Sequence, residues 1–497
     1  MAPGAIWGHT PGRISPPSAA LHRFAAKVKS SLLNRSINVD PPRLKQGIGN
    51  SYILEDGTEI YDASCGAAVM SLGKRDKRVT RAKHKIEELG LSYASSAFET
   101  EIAVRAADFM VKSTDDMMKK VVFYCSGSEA SEAALKLATQ YHTKDKAFPE
   151  IERTLFIARE QSYHGNTLGA LDISGFEARK APYERILPQN MRTVPPCNEY
   201  RNRFPGQTNA QYVQWHREQL VNKIEKLGGH RVAALIVEPV VGAALGCAPA
   251  VPGYLRALRE VCDNYGILLI FDEIMCGMGR TGYLHAWQAC WEEERCVPDI
   301  QLVGKGLAAG FEPVSAMLVG QKVTEALEQG PSNGVFVHGH TFQNYPLACA
   351  AVLAVQQIVV SDNLLANVRE KGALLQKKLR QRLGSHPNVG DIRGPAEGLF
   401  LGVEFVQDKD SKTPFPSTEN INSKIFDQGI KSYGIHVYHG AGCADKANRD
   451  LGRGGDHIMI CPAFNITLKE VDLIVDRVGR LIEDFFEEYD ERNTTTP

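Results

Sequence analysis

PDIQLVGKG, residues 298–306, is an apolar run that carries a lysine towards its end and then breaks on glycine. Thirty-three positions before Lys305, Asp272 stands near the end of a second apolar run, LLIFDE at residues 268–273. Short apolar runs bounded by glycine or proline are typical of buried strands. We therefore predict two buried strands, one leading to an amine at Lys305 and the other ending in a carboxylate at Asp272.

A lysine and an acid placed in this way suit the chemistry of pyridoxal phosphate. The amine can hold the cofactor's aldehyde as a Schiff base, and the carboxylate can keep the pyridinium nitrogen protonated so that the ring accepts electrons. The sequence therefore predicts an enzyme whose cofactor is pyridoxal 5'-phosphate.

Length and composition limit the classes of protein to consider. A chain of 497 residues exceeds the size at which one hydrophobic core keeps growing, so we expect two lobes. The 57 basic and 58 acidic residues nearly balance, which favours neither nucleic acid nor an anionic membrane as a partner. The 11 cysteines are scattered singly, which argues against a disulfide framework and a structural zinc site. We expect small-molecule partners, a second copy of the chain, and a reducing compartment.

The N-terminus leaves two interpretations open. Residues 1–39 contain no acid and five Lys or Arg, and an amphipathic basic stretch runs from Leu21 to Leu32. Such a stretch is typical of a mitochondrial transit peptide, but the prolines before it interrupt a helix, and a surface helix opening the first lobe has the same pattern. We expect a cytoplasmic protein, with mitochondrial import as the alternative. No apolar stretch approaches the length that spans a bilayer, so no membrane partner is expected.

The fold class follows from alternating patterns. Short runs rich in bulky apolar residues stand between longer helical patterns, at residues 121–124, 154–158, 232–237, 267–271, 300–303 and 314–319. This alternation predicts an α/β fold in which helices cover both faces of a mainly parallel sheet.

The patterns at the two ends of the chain predict a smaller α+β domain. A hairpin signal at residues 50–63 precedes the alternating block, and a helical pattern at 346–381, a strand at 399–406 and helices at 420–428 and 468–489 follow it. We therefore predict a large cofactor-binding domain at residues 76–345, and a small domain built from residues 1–75 and 346–497.

A phosphate site is predicted where the first strand of the block meets a helix. Ser126, Gly127 and Ser128 follow the strand at 121–124 and precede the helix-forming run at 130–141. Free amides at a helix start, beside hydroxyls and glycine, can hold a phosphate dianion. A helix N-cap without any ligand has the same composition.

Further candidates lie after other strands of the block. Tyr163 and His164 follow the strand at 154–158, and Glu238 ends the strand at 232–237. Ligands of α/β folds gather at this carboxyl edge, where an aromatic ring can stack on a flat cofactor. Simple packing for the tyrosine and helix capping for the acid are the alternatives.

Two motifs point to other chemistries. GMGRTG at residues 277–282 matches the G-x-G-x-x-G pattern of dinucleotide-binding proteins, but acids stand between the strand and the glycines, and a poor helix follows. His338 and His340 lack an acid or cysteine at ligand spacing, so no metal site is predicted. Thr341 could instead offer its hydroxyl to a phosphate.

Taken together, these motifs resemble the class III pyridoxal-phosphate-dependent aminotransferases, a family of fold type I, over roughly residues 20–485. The resemblance implies that Lys305 forms the Schiff base and then moves the proton, and that Asp272 pairs with the pyridine nitrogen. It also implies a cofactor ring between Tyr163 and Ile274, with the phosphate near Gly127 and Ser128.

Other implications concern the second subunit and the orientation of the site. Family members are dimers with shared active sites, so Thr341 would reach the phosphate of the neighbouring subunit. Glu238 would orient the site near the cofactor's hydroxyl or the substrate. Ser126 and His164 complete the predicted cofactor-binding set.

Two departures from the family concern the substrate. Members that bind ornithine, acetylornithine or 4-aminobutyrate carry an arginine where this chain has Asn166, and an amide cannot replace its bidentate charged fork. The AGFEP segment at residues 309–313 also differs from the family's usual glycine and tyrosine, which affects the pocket wall.

The sequence predicts an aminotransferase that moves an amino group from an amine or amino acid to a keto acid or aldehyde by a ping-pong mechanism. Aminomutases, racemases and decarboxylases on the same scaffold share the motifs and are the main alternative. A catalytically silent binding protein and an NAD-dependent enzyme are less favoured, because both the lysine and the acid are present.

Overall fold

The computed structural model describes residues 30–290, 296–444 and 454–494. The basic stretch for which import was considered lies almost entirely outside these residues. Within them, no single helix is long and apolar enough to cross a membrane. One pair, bent by 68°, passes such a test only when its two helices are taken together.

The strands are numbered here in chain order: β1 Leu44–Ile48, β2 Ser51–Leu54, β3 Glu59–Asp62, β4 Met118–Tyr124, β5 Leu155–Arg159, β6 Met191–Val194, β7 Val232–Val237, β8 Val240–Val241, β9 Ala248–Pro249, β10 Leu268–Glu273, β11 Ile300–Val303, β12 Ser315–Gly320, β13 Val389–Arg393, β14 Leu401–Phe405, β15 Ile435–His436, β16 Tyr438–Ala441 and β17 Asp456–Ile460. The α-helices, apart from a kinked turn at Cys65–Ala68, are α1 Lys77–Glu88, α2 Glu101–Lys112, α3 Gly127–Gln140, α4 Leu168–Ile173, α5 Glu177–Lys180, α6 Glu199–Asn202, α7 Asn209–Leu227, α8 Tyr254–Tyr265, α9 Gln321–Gln329, α10 Pro346–Ser361, α11 Leu364–Leu383, α12 Ile421–Ser432 and α13 Leu468–Thr494.

The central sheet has seven strands in the order β4-β12-β11-β10-β7-β5-β6. β12 runs antiparallel to both of its neighbours, while the pairs among β11, β10, β7, β5 and β6 are parallel. Every residue of β7, β10, β11 and β12 is buried, as expected when helices cover both faces. The predicted α/β class with a mainly parallel sheet is therefore confirmed.

Strand β6 was not predicted. Its four residues, MRTV, are mostly half-buried, because the strand lies at the edge of the sheet. A short edge strand gives little of the continuous apolar signal that marked the inner strands.

Parallel register brings the strand ends together at one edge. Asp272 pairs in register with Leu302 and Glu273 with Val303, so the chain reaches Lys305 two residues beyond this point. On the other side of β10, Phe271 pairs with Val237, which sets the next residue, Glu238, level with Asp272. The register therefore explains how residues distant in sequence share one edge.

A smaller sheet joins segments from the two ends of the chain. β1, β2 and β3 form an antiparallel meander, and β15 adds to β3 in parallel. At this junction Asp62 is buried, with Oδ2 3.0 Å from Nζ of Lys74 and Oδ1 2.9 Å from Nδ1 of His436. The predicted hairpin at 50–63 is confirmed by β2 and β3, while the domain boundaries themselves stay a prediction.

The helical pattern at 346–381 is not one helix. It divides into α10 and α11, because Asn363 adopts a left-handed conformation with φ of 52° directly after Asp362. Asparagine tolerates this conformation better than most residues, and both asparagine and aspartate are weak helix formers. The continuous apolar periodicity concealed this break.

Candidate active site

A cavity of about 440 Å³ opens at the carboxyl edge of the central sheet. Most of the residues predicted for the site line it, namely Ser126, Gly127, Ser128, Tyr163, His164, Glu238, Asp272, Ile274 and Lys305. Thr341 is exposed and lies outside the cavity lining in this single chain. Its role towards a neighbouring subunit stays a prediction.

Lys305 begins a one-turn 3-10 helix, with one residue between it and the end of β11. Its φ of 43° is in the left-handed region, which is uncommon for a residue with a side chain and costs conformational energy. Burial lowers the pKa of the amine, and the negative charges of Asp272 and Glu238 oppose this shift. In the described part of the chain the amine forms no ion pair, so the groups that favour its charge act at longer range, Asp272 first among them.

Asp272 is held by two hydrogen bonds at the end of β10. Its Oδ2 lies 2.7 Å from Nδ1 of His164, and its Oδ1 accepts a hydrogen bond of 3.0 Å from the backbone N–H of Ile274. The histidine is itself fixed through its backbone, because its N–H donates to Ser174 at 2.8 Å and its carbonyl accepts from Ser131 at 2.6 Å. The carboxylate therefore has a defined orientation without a ligand.

The role of His164 as a partner of Asp272 was missed by sequence reasoning, which placed it in the aromatic motif as a cofactor contact. The signal was available in part, since a histidine at the edge of the sheet next to a strand-end acid is a plausible donor. The pairing depends on how the loop after β5 folds back over β10, which local sequence does not specify.

Glu273 points to the opposite face of β10 and does not line the cavity. Its carboxylate accepts hydrogen bonds from the backbone N–H groups of Ala286 at 2.6 Å and Trp287 at 3.1 Å. Burial raises its pKa to about 8, against the effect of these two donors. The two adjacent acids therefore differ: one faces the cavity and the other anchors the loop after the glycine motif.

Glu238 is also buried and fixed. Its two carboxylate oxygens accept hydrogen bonds from the backbone N–H groups of Tyr163 at 3.1 Å and Gly242 at 2.9 Å. Burial raises its pKa, and the nearby charge of Asp272 adds to the rise while His164 opposes it. The acid thereby ties the loop carrying the tyrosine to the end of β7.

The loop between β4 and α3 forms a cradle with two free donors. Ser126 caps the helix, and the carboxylate of Glu129 accepts from the N–H groups of Cys125 at 2.8 Å and Ser126 at 3.2 Å. In the described residues no acceptor is found for the N–H groups of Gly127 and Ser128. A Cβ atom on Gly127 would lie 3.0 Å from the side chain of Ile274, so glycine allows this close approach.

These features fit the cofactor that the family implies. Two unpaired amides and the positive end of a helix dipole suit a phosphate group. A fixed carboxylate suits a protonated ring nitrogen, and a desolvated amine suits an aldehyde. Both the capping role and the phosphate role predicted for the serine–glycine bend are compatible, because Ser126 caps the helix while the next two amides stay available.

The G-x-G-x-x-G motif has a different role from dinucleotide binding. Residues 277–283 form turns and not the start of a helix. The buried guanidinium of Arg280 donates to the carbonyl oxygens of Leu399 at 3.1 Å and Pro462 at 2.5 Å, and it lies 4.6 Å from the ring of Phe464. The motif therefore joins the site to the C-terminal part of the chain.

The two departures noted in the sequence have different positions. Phe311 and Glu312 line the cavity, and Glu312 forms an ion pair with Lys83. Asn166 is exposed and outside the lining, and its backbone N–H donates to Oγ of Ser128 at 3.0 Å. The pocket wall is therefore altered at 311 and 312.

Comparisons with known proteins identify the family. The family model described as Aminotransferase class-III matches residues 36–439. An aminotransferase of Gibberella zeae is 42% identical over 470 residues, which are 92% of this chain and 89% of that protein. An aminotransferase of Schizosaccharomyces pombe is 40% identical over 454 residues, covering 91% of this chain and 95% of its own length.

A solved structure, the omega transaminase from Pseudomonas jessenii in complex with PMP, matches with a TM-score of 0.82 and 26% identity over 95% of this chain and 98% of that one. The fold and the site thus define a fold type I enzyme of the pyridoxal-phosphate class. The chain belongs to the class III aminotransferases, and the resemblance inferred from sequence is confirmed.

Proposed function

We propose that pyridoxal 5'-phosphate binds in the 440 Å³ cavity and that the chain passes an amino group from an amine or amino acid to a keto acid or aldehyde in two half-reactions. The observation that supports this most directly is that Lys305, Asp272 and the cradle at Gly127 and Ser128 line one cavity. A lysine, a ring-nitrogen acid and a phosphate site are the three contacts this cofactor needs.

When bound, the cofactor would supply an aldehyde for the substrate's nitrogen and a ring that accepts electrons. The amides of Gly127 and Ser128 would hold its phosphate, and Asp272 would hold a proton at its ring nitrogen. Tyr163 and Ile274 would pack on its two faces.

Lys305 then acts as the base. Burial lowers the pKa of Nζ, so a larger share of the amine is neutral near physiological pH than in water. Nζ would take the proton from the substrate carbon that bears the amino group and would later release it, so that the amine is neutral again for the second half-reaction. His164 keeps Asp272 oriented throughout, and Glu238 holds the Tyr163 loop against the cavity.

We also propose a homodimer with shared active sites. Large hydrophobic side chains near Thr341 are exposed in the single chain, including Phe98 at 74%, Phe342 at 50% and Tyr93 at 48%. The rings of Tyr93 and Phe342 lie 5.9 Å apart in an edge-to-face contact. Clustered exposed aromatic residues are typical of protein interfaces, and a second copy is the partner favoured by the family. Light scattering of the purified protein would give a monomer mass if this proposal is wrong.

The experiment that tests the function follows the two half-reactions separately. Purified protein loaded with pyridoxal phosphate is mixed with an amine donor alone. The visible spectrum should change until one equivalent of donor per bound cofactor has reacted, and then stay constant. Addition of a keto acid or aldehyde should restore the first spectrum. Conversion of the substrate with no acceptor present would instead support an aminomutase, racemase or decarboxylase.

A further inference from the structure

A second cavity, of about 570 Å³, lies beside Tyr163. Phe176 and Arg179 line it, together with the polar side chains of Ser417, Thr418, Asn420, Asn422, Ser423, Tyr438 and His439. The two cavities adjoin, because Arg179 in the second packs on the ring of Tyr163 in the first, with its guanidinium 4.7 Å from the ring centroid. An extended substrate could therefore reach from one cavity towards the other.

The second cavity is positively charged at this boundary. Arg179 also lies 5.3 Å from the ring of Phe176, and Arg35 lines the same cavity. Burial raises the pKa of the Tyr163 phenol, and the positive charges of Arg179 and Arg35 oppose the rise, as expected when both guanidinium groups are near. Among residues 30–290, 296–444 and 454–494, neither arginine forms an ion pair.

Asp456 is the acid that lines this cavity in the described chain, and it weakens the positive field only in part. Its Oδ1 accepts from the backbone N–H of Asn422 at 3.1 Å, and burial raises its pKa to about 6. His439, in the same lining, has a pKa lowered by burial and is neutral near physiological pH. Within the described lining, the two guanidinium groups therefore carry most of the charge.

Among the described residues that line the first cavity, no cation is free to receive a substrate carboxylate. The described lining carries the acids Glu238, Asp272 and Glu312, of which Glu312 is paired with Lys83, and its amine is Lys305, which the proposed chemistry uses. His164 donates to Asp272 and is occupied. A carboxylate that enters this cavity meets negative charge, so favourable binding requires a cation placed beside it.

We propose that Arg179, with Arg35 beside it, binds the carboxylate of the amino-acid donor or the keto-acid acceptor at the edge of Tyr163. This inference rests on the proposed transaminase function and assigns its substrate class as acids. Contacts with the rings of Tyr163 and Phe176 position the guanidinium. A guanidinium fork matches a carboxylate bidentately. Asn166 is exposed and lies outside both linings.

The test compares three variants of the full-length holoenzyme. Arg179→Met removes the charge and keeps the length, Arg179→Lys keeps the charge without the fork, and Arg185→Met is the control at an exposed arginine outside both cavities. Acceptors are pyruvate, 2-oxoglutarate and the neutral benzaldehyde, with one amine donor throughout. Arg179→Met should lower kcat/KM for the two acids by about 10- to 100-fold and for benzaldehyde by less than about 2-fold.

Arg179→Lys should recover part of the loss, and the control should match wild type. If kcat/KM falls for 2-oxoglutarate alone, Arg179 binds the carboxylate that is distant from the keto group. If kcat/KM falls for both acids, Arg179 binds the carboxylate next to the keto group. An unchanged ratio of acid to aldehyde turnover in Arg179→Met overturns the inference. If Arg179→Met does not fold, the ratio of acid to aldehyde turnover is measured in Arg179→Lys and Arg35→Met instead, and an unchanged ratio in both overturns the inference.

Calorimetry with glutarate, which cannot react, gives a readout independent of turnover. Wild type should bind it, and Arg179→Met should bind it at least about 10-fold more weakly. Equal binding by both proteins overturns the inference even when transamination is normal. A different result is that wild type performs neither half-reaction with any donor, while Arg179→Met still binds glutarate more weakly than wild type does. That result contradicts the proposed function but supports the anion site.

Discussion

The Nδ1 atom of His164 lies 2.7 Å from Oδ2 of Asp272, and both side chains are buried. Because an ionised carboxylate only accepts hydrogen bonds, Nδ1 is the donor in this contact. Nε2 of the same ring is buried and has no partner in the described chain. The histidine therefore serves to orient the acid that the cofactor's ring nitrogen would meet.

Replacement of His164 should separate orientation from simple packing. His164→Ala leaves Asp272 without this donor, and we expect cofactor affinity and kcat/KM to fall by about 10- to 100-fold, as for other residues that hold a functional ligand in place. His164→Asn places an N–H donor near the position of Nδ1 and should recover most of the loss. Equal losses in both variants, with a normal thermal midpoint, would contradict the orienting role.

Lys305→Ala should remove the characteristic visible absorbance of the holoenzyme together with turnover. The reason is that no other amine lines the cavity among the described residues. Spectra and a donor half-reaction measure the two properties, and Lys431→Ala, at a side chain 74% exposed, is the control. Retention of absorbance and turnover would refute the assignment of Lys305.

The lowered pKa of Lys305 predicts a pH dependence for cofactor loading. Only a neutral amine attacks the aldehyde, and burial favours that form despite the charges of Asp272 and Glu238. The rate at which apoenzyme takes up pyridoxal phosphate should therefore rise with pH and level off below about 10.4, the ordinary lysine value. Nα-acetyl-lysine is the reference amine, and a plateau at or above its own pKa would oppose this account.

Asp62 should stabilise the junction between the two chain ends in a pH-dependent way. Burial alone would raise its pKa, but the hydrogen bond with His436 and the charge of Lys74 bring it well below its ordinary value. Because the pKa of Asp62 is lower in the folded protein than in the unfolded chain, where it is near 4, the ionised carboxylate stabilises the fold at neutral pH. This stabilisation is lost progressively as the pH falls below about 5. Asp62→Asn should cost about 3 kcal/mol at pH 7 and flatten that acid dependence.

Asp427→Asn is the matched control for this measurement. Asp427 is 62% exposed and lies 3.8 Å from Lys431, so its loss should change the free energy of unfolding by less than about 1 kcal/mol. Urea unfolding at pH 7 and pH 4 measures both variants. A similar cost for both would mean that the buried triad contributes no more than a surface pair.

Much of the site could be predicted from sequence because parallel strands end at one edge. Once residues 268–273 and 300–303 are recognised as buried strands of one parallel sheet, Asp272 and Lys305 are expected at the same edge, whatever the intervening loops do. The same rule brought Glu238 and Tyr163 to this edge. The inner strands were predictable for a related reason, since burial on both faces leaves a continuous apolar run.

What sequence reasoning missed depends on contacts between loops and on single backbone angles. The pairing of His164 with Asp272 and the stacking of Arg179 on Tyr163 both require knowledge of how loops fold over the sheet. The break at Asn363 rests on one residue with positive φ inside an otherwise regular pattern. Glu273 could have been separated from Asp272 by strand alternation alone, because neighbouring residues of a strand face opposite sides.

The pairing of β3 with β15 has a consequence for biosynthesis. The contact between Asp62 and His436 joins residues 374 positions apart, so the first small sheet stays incomplete until most of the polypeptide has left the ribosome. At ordinary elongation rates this interval is on the order of tens of seconds. During it the meander at residues 44–62 has an open edge, and a nascent chain in that state is the form most exposed to mispairing and to capture by chaperones.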